Sequence, residues 1–227
     1  PDGRHIAAGG WTGCEWDNAC SIYIFDLKTG TLIQRLSGLP NVTLHLAYAK
    51  DGRYLAAGLG ANNGIRVYKT DDYALLMEDT DYEDDVDGLD FSNEGRLVTT
   101  SYDGYIRLYD RNFRLLQKKK APSGEYPDGI SFSPDGVRIA VGYDDTPRVD
   151  VLSGTNLDGL YTLYTGDLSG GNLASVTFST DGSHLYGGGE CQKLYEDRWK
   201  FNIRRWEVVH SKGLHYIDIP AAENTIM

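Results

Sequence analysis

Cysteine is scarce in this chain. Three occur among 227 residues, at positions 14, 20 and 191, an odd and sparse set that builds no disulfide framework. Cys14 and Cys20 flank one connection and would pair in an oxidising compartment. The sequence favours two free thiols, and with them a cytoplasmic location. No Cys-x-x-Cys or Cys/His spacing suggests zinc. Long apolar runs are also missing: none approaches the ~18 residues of a membrane-spanning helix, so no membrane insertion is expected. Positive charge is in short supply, with 22 Lys and Arg against 33 Asp and Glu and a net charge of −11. Nucleic-acid binding needs a basic patch, and the one basic run, Lys118–Lys120, reads as a solvated strand end. No signal peptide is visible. The chain opens at Pro1 inside a motif, so the natural N-terminus and any targeting segment are expected to lie outside this sequence.

Catalytic motifs are absent as well. There is no G-x-S-x-G elbow, no P-loop, and no G-x-G-x-x-G leading into a helix. His5, His45, His184, His210 and His215 fall at scattered places along the chain. The sequence offers no catalytic residue, and no cofactor is expected. The run Gly187–Gly189 ends an apolar segment and reads as close packing, not as a phosphate cradle.

What is present is a repeat. A turn motif recurs as PDG at 1–3, KDG at 50–52, NEG at 93–95, PDG at 134–136 and TDG at 180–182. Its acidic positions, Asp2, Asp51, Glu94, Asp135 and Asp181, are spaced by 49, 43, 41 and 46 residues. That is the period of a four-stranded propeller blade, about 40–45 residues. Before each turn from the second onward lies a segment of alternating apolar residues, the period-two pattern of a half-buried strand. After it come RHIAAGG, RYLAAGL, RLVTTSY, VRIAVGY and SHLYGGG. A third strand (SIYIFDL, GIRVYKT, YIRLYDR, RVDVLSG, FNIRRWEV) and a more polar fourth complete each unit. We label these strands a to d, with the DG turn joining a to b through the positive φ angles of a tight hairpin. The charged outer strand d suits an edge that must resist pairing with other chains.

These residues resemble the WD-repeat family. The likeness rests on the DG turns, the AAG-type strand b, the Tyr102-Asp103-Gly104 turn and the aromatic–acid pairs Phe25-Asp26, Tyr109-Asp110 and Trp206-Glu207. It spans nearly the whole chain as five units, approximately 1–40, 41–85, 86–126, 127–171 and 172–222. It implies an all-β fold: a β-propeller of four-stranded antiparallel blades in a single domain truncated at both ends, part of a seven-blade ring. A closed five-blade ring, with Glu223–Met227 filling the place of the missing first strand, is the alternative. No Trp-Asp dipeptide and no Gly-His pair occurs, so the family's Asp-His-Ser-Trp hydrogen-bond network is expected to be absent or reduced. The resemblance also implies a protein- or peptide-binding scaffold or sensor within a larger signalling or regulatory protein. A fused effector domain would then lie outside this sequence. The rival is a propeller enzyme, a hydrolase or quinoprotein-like oxidoreductase, with its site in the central channel. Its discriminating residues would be inward His, Glu or Asp at the starts of strand a, where the sequence offers Asp87 and Asp128.

The candidate site residues lie in the b–c and d–a connections, which share one face of such a fold. Two b–c connections are long, at 11–20 and 189–200, and each carries aromatics beside acids: Trp11, Glu15, Trp16 and Asp17, then Tyr195 and Trp199. Long loops on a rigid scaffold tend to carry function, and Trp and Tyr make good binding anchors. Tyr82, Glu83, Asp84 and Asp85 add an acidic rim on a d–a connection, which suits a basic partner. Asp84, Asp85 and Asp87 lack the regular spacing of a calcium loop, so no metal site is expected. Asp51, Asp103, Asp135 and Asp181 read as structural acids that set their turns.

Overall fold

In a computed structural model, the described residues are 1–11, 19–195, 198–208 and 215–220. They form five antiparallel sheets. The first has three strands, β1 (His5–Ala8), β2 (Cys20–Asp26) and β3 (Leu32–Leu39). Four sheets of four strands follow: β4 (Thr43–Tyr48) to β7 (Leu75–Asp79), β8 (Gly88–Phe91) to β11 (Leu115–Lys120), β12 (Pro127–Phe132) to β15 (Gly159–Thr162), and β16 (Ser175–Phe178) to β19 (Tyr216–Pro220). A short 3-10 turn at Ala61–Asn63 is the one helical element among them. The first strands of successive sheets lie side by side, β8 against β4 and β12, and β12 against β16. This is an arc of propeller blades.

Period-two alternation explains the stacking. In β5 (Tyr54–Leu59), Leu55, Ala57 and Leu59 pack toward the first sheet with Ile22 and Ile24, while Ala56 packs toward the third with Leu89 and Phe91. Four apolar clusters therefore fill the four gaps between five sheets. Backbone approach is closest along the inner strands. A Cβ on Gly88 would sit 2.2 Å from the Asp128 carbonyl oxygen, and one on Gly129 2.3 Å from that of Ala174. Glycine at these positions lets neighbouring blades touch near the start of strand a.

The DG turns depart in one detail from the sequence expectation. Only the glycine takes a positive φ, between 68° and 84° at Gly3, Gly52, Gly95, Gly136 and Gly182. The Gly52 N–H donates to the Ala49 carbonyl at 2.8 Å, and Gly136 repeats this with Ser133. This is a type I turn followed by a left-handed glycine, the three-residue hairpin connection. The aspartate instead accepts the N–H two residues on, at 3.0 Å each for Asp51 with Arg53, Asp135 with Val137 and Asp181 with Ser183.

Two further expectations need correction. Cys20 is disulfide-bonded, not a free thiol, so the cysteine argument for a cytoplasmic location loses its basis; Cys191 is free and buried. The segment 189–200, read as a loop, is mostly strand. β17 (His184–Tyr195) and β18 (Arg198–Glu207) continue as a hairpin past a bulge between Gly188 and Gln192, pairing Leu194 with Trp199 and Tyr195 with Arg198. Glu223–Met227 lies outside the described residues.

Candidate functional site

The b–c and d–a connections of blades two to five are knitted together by backbone and carboxylate hydrogen bonds. Tyr102 N–H donates to the Asp85 carbonyl at 2.9 Å, and the Asp145 carboxylate accepts the Glu125 and Tyr126 amides. The Asn172 side chain donates to Asp144 Oδ1 at 2.7 Å and accepts the Glu190 N–H at 2.8 Å. Acids that might otherwise hang free in solvent are thus held in place on one surface.

At the centre of that surface lie Asp87 and Asp128, at equivalent places on β8 and β12. Each stands two residues before the aliphatic residue, Leu89 or Ile130, that pairs with strand b. The close approach at Gly88 brings the two backbones together, and both side chains are half-buried. Tyr102 OH donates to Asp128 Oδ2 at 3.4 Å. Asp87 Oδ2 is buried and has no hydrogen-bond partner, while the Asp87 carbonyl contacts His45 Nδ1 at 2.9 Å. Burial, then repulsion from Asp128, Asp85, Asp144 and Asp84, pushes Asp87 up to about 7. Burial and Asp144 push Asp128 up to about 6, against the Tyr102 hydrogen bond. The same burial and acids raise Tyr102. Among the described residues no Lys or Arg forms an ion pair with Asp84, Asp85, Asp87, Asp128 or Asp144.

The remaining sequence-derived candidates divide sharply. Glu83 and Asp84 are exposed and Asp85 is half-buried, with its carboxylate accepting the Ala61 N–H. Trp11 is 73% exposed. Glu15, Trp16 and Asp17 lie outside the described residues. Tyr195 and Trp199 are placed only as backbone positions of β17 and β18.

Tyr82 is not a partner residue. It is 3% exposed, and its hydroxyl is 2.8 Å from Thr99 Oγ1 and 2.9 Å from Tyr109 OH. Tyr109 in turn donates to Asp79 Oδ2 at 2.8 Å. The guanidinium of Arg107 lies 3.7 Å over the Tyr82 ring and grips Asp103 at 2.6 Å. Asp103 also accepts the Tyr105 N–H at 3.0 Å. Burial opposes ionisation of Asp103, but the Arg107 hydrogen bonds win and hold it below its ordinary value. The Asp-His-Ser-Trp network is therefore not simply lost; an Asp79–Tyr109–Tyr82–Thr99 network ties strands d, c and b in this blade. The equivalent place on strand c holds Asp150 in blade four, gripped by Tyr143, Ser123 and Thr162 hydroxyls. In blade five it holds Arg204, between Asp167 and Asp218.

Residues 76–110 match the WD40 family, described as WD domain, G-beta repeat. The match opens in β7 and closes just after β10, so it takes in the whole Asp79–Tyr109–Tyr82–Thr99 network. No curated protein matches the chain.

Proposed function

We propose that this arc of WD-repeat blades is a docking module for a basic protein or peptide segment. The face formed by the b–c and d–a connections receives it. The observation that carries this reading is the carboxylate group at the inner-strand mouth, where mutual repulsion pushes Asp87 up to about 7. A cationic side chain entering there would relieve that repulsion and let both Asp87 and Asp128 ionise. The exposed Glu83 and Asp84 would form the electrostatic rim and steer the approach. Trp11, Trp16, Tyr195 and Trp199 are the proposed aromatic anchors, with Glu15 and Asp17 beside them. A role inside a larger signalling or regulatory assembly fits a module of this kind.

Catalysis is less well supported. A channel enzyme would gather reacting groups at the starts of the inner strands, where the four equivalent positions are Leu44, Asp87, Asp128 and Ala174. Two acids beside two apolar residues define no reaction. The test is titration with a synthetic Lys/Arg-rich peptide at low and moderate salt, using the parent and Asp87→Asn/Asp128→Asn. Salt-sensitive binding that is lost in the double variant, with folding intact, supports the reading. A native partner that binds among the DG turns instead would overturn it.

A further inference from the structure

The first sheet has three strands where the other four have four, and the difference falls on one residue. In each complete blade, strand b carries an aliphatic residue paired on one side with strand c and on the other with an aromatic of strand a. Leu55 stands between Tyr68 and Tyr48, Leu97 between Tyr109 and Phe91, Ile139 between Leu152 and Phe132, and Leu185 between Trp206 and Phe178. All four are 0% exposed. In the first sheet Ile6 pairs with Phe25 on the strand-c side, but it has no aromatic opposite it among the described residues and is 46% exposed. β1 therefore keeps the outer half of a site whose inner half is open, and its backbone presents a free edge.

The complete blades show what fits there. Their inner strands read Leu46-Ala47-Tyr48-Ala49, Leu89-Asp90-Phe91-Ser92, Ile130-Ser131-Phe132-Ser133 and Val176-Thr177-Phe178-Ser179. The common chemistry is aliphatic, any residue, aromatic, small. The aliphatic residue pairs with Ala57, Thr99, Val141 or Gly187, whose counterpart in the first sheet is Ala8. We infer that β1 is an acceptor edge for an extended segment of a partner polypeptide with this four-residue pattern, bound antiparallel with its aromatic opposite Ile6 and its aliphatic residue opposite Ala8. Strand addition of this kind draws affinity from main-chain hydrogen bonds and specificity from the alternate side chains. It is independent of the acidic face.

The test is hydrogen exchange of the protein with and without a synthetic peptide of the sequence of residues 86–94, which carries the pattern. The peptide should slow exchange of the His5–Ala8 amides by about tenfold or more and raise the melting temperature. A peptide whose Phe is replaced by Asp, which leaves the protein untouched, should do neither, and Ile6→Asp in the protein should abolish the effect. Free exchange of β1 at saturating peptide would overturn the inference. So would protection confined to other strands. Protection of β1 that rises with protein concentration alone would assign the edge to a second copy and overturn it equally.

Discussion

Asp103 and Asp87 stand 16 positions apart in sequence and belong to the same blade and the same face, yet their carboxylates are treated oppositely. Asp103 is gripped by a fully buried arginine and accepts backbone amides, so its charge is held low and ionised. Asp87 has a buried oxygen with no partner and four acids around it, so its charge is resisted. A carboxylate that the fold satisfies belongs to the fold. One that the fold crowds and leaves unsatisfied is where an outside cation would find most to gain. The comparison separates structural from functional acids within one acidic molecule, where composition alone cannot.

The sharpest way to break the comparison is to unpair the buried partner. Replacing Arg107 by Met leaves Asp103 buried without its cation, which typically costs about 3–5 kcal/mol. Denaturant unfolding should show that loss. If the variant unfolds at the parent midpoint, Asp103 is not a structural acid. Next in size is Tyr82→Phe, which keeps the ring under Arg107 but leaves Thr99 and Tyr109 short of a hydroxyl. A buried donor or acceptor left unsatisfied costs about 1–3 kcal/mol. Binding of a basic peptide should be unchanged per folded molecule, and a selective loss of binding would return Tyr82 to the docking face.

Much of this was legible in the sequence, and the failures have physical causes. The recurring DG turns and the alternation in RYLAAG or VRIAVG mark strands, because turn glycines and period-two burial are local properties. The role of Tyr82 was hidden because it sits in an acidic run, Asp81 to Asp87, that reads as a solvated loop; only tertiary packing turns its ring inward under Arg107. One signal was available: Arg107 itself, a charged residue in the otherwise apolar strand YIRLY, must find a partner. The c–d turns were equally opaque. Tyr73, Phe113 and Leu157 occupy the left-handed region at φ of 55°, 60° and 59°, a place no propensity assigns to bulky residues. Burial of Phe113 and Leu157 in the inter-blade clusters accounts for two of them. The long β17–β18 hairpin was missed because its Gly-rich bulge at 187–189 reads as a strand end. Asp87 and Asp128 were placed at strand starts by the repeat, but their crowding needed the close approach at Gly88.

A smaller effect sharpens the comparison from the other side. Asp87 binds a proton more readily in the folded chain than unfolded, as its value moves from an ordinary 3.8 to about 7. Its contribution to stability is therefore fully present below the unfolded carboxylate range and is lost as pH rises through about 7. Asp128 acts in the same direction up to about 6. Melting temperature should fall between pH 5 and pH 8, and Asp87→Asn should flatten that decline. It should also stabilise the protein at pH 8 by on the order of 1 kcal/mol, once solvent screening at a half-buried group is allowed for. A profile identical to that of the parent would show that the mouth acids do not crowd one another. Addition of a basic peptide should release protons near pH 7, measurable by calorimetry in buffers of different ionisation enthalpy.

The smallest effect on stability is expected at the rim, and it tests steering apart from docking. Glu83 and Asp84 are exposed, and no lysine or arginine among the described residues pairs with either. Removing their charge as Glu83→Gln/Asp84→Asn should leave unfolding within about 0.5 kcal/mol of the parent, the usual range for surface positions. Their field still reaches into solvent over about a Debye length, roughly 8–10 Å at physiological salt. A basic partner should therefore associate more slowly with the double variant, while its dissociation rate stays close to that of the parent. The difference should shrink as salt is added, because both proteins then lose the same long-range attraction. Stopped-flow association at several ionic strengths reads this directly. If the variant instead changes dissociation and leaves association alone, Glu83 and Asp84 are contact residues, and the boundary between rim and mouth moves outward from Asp87.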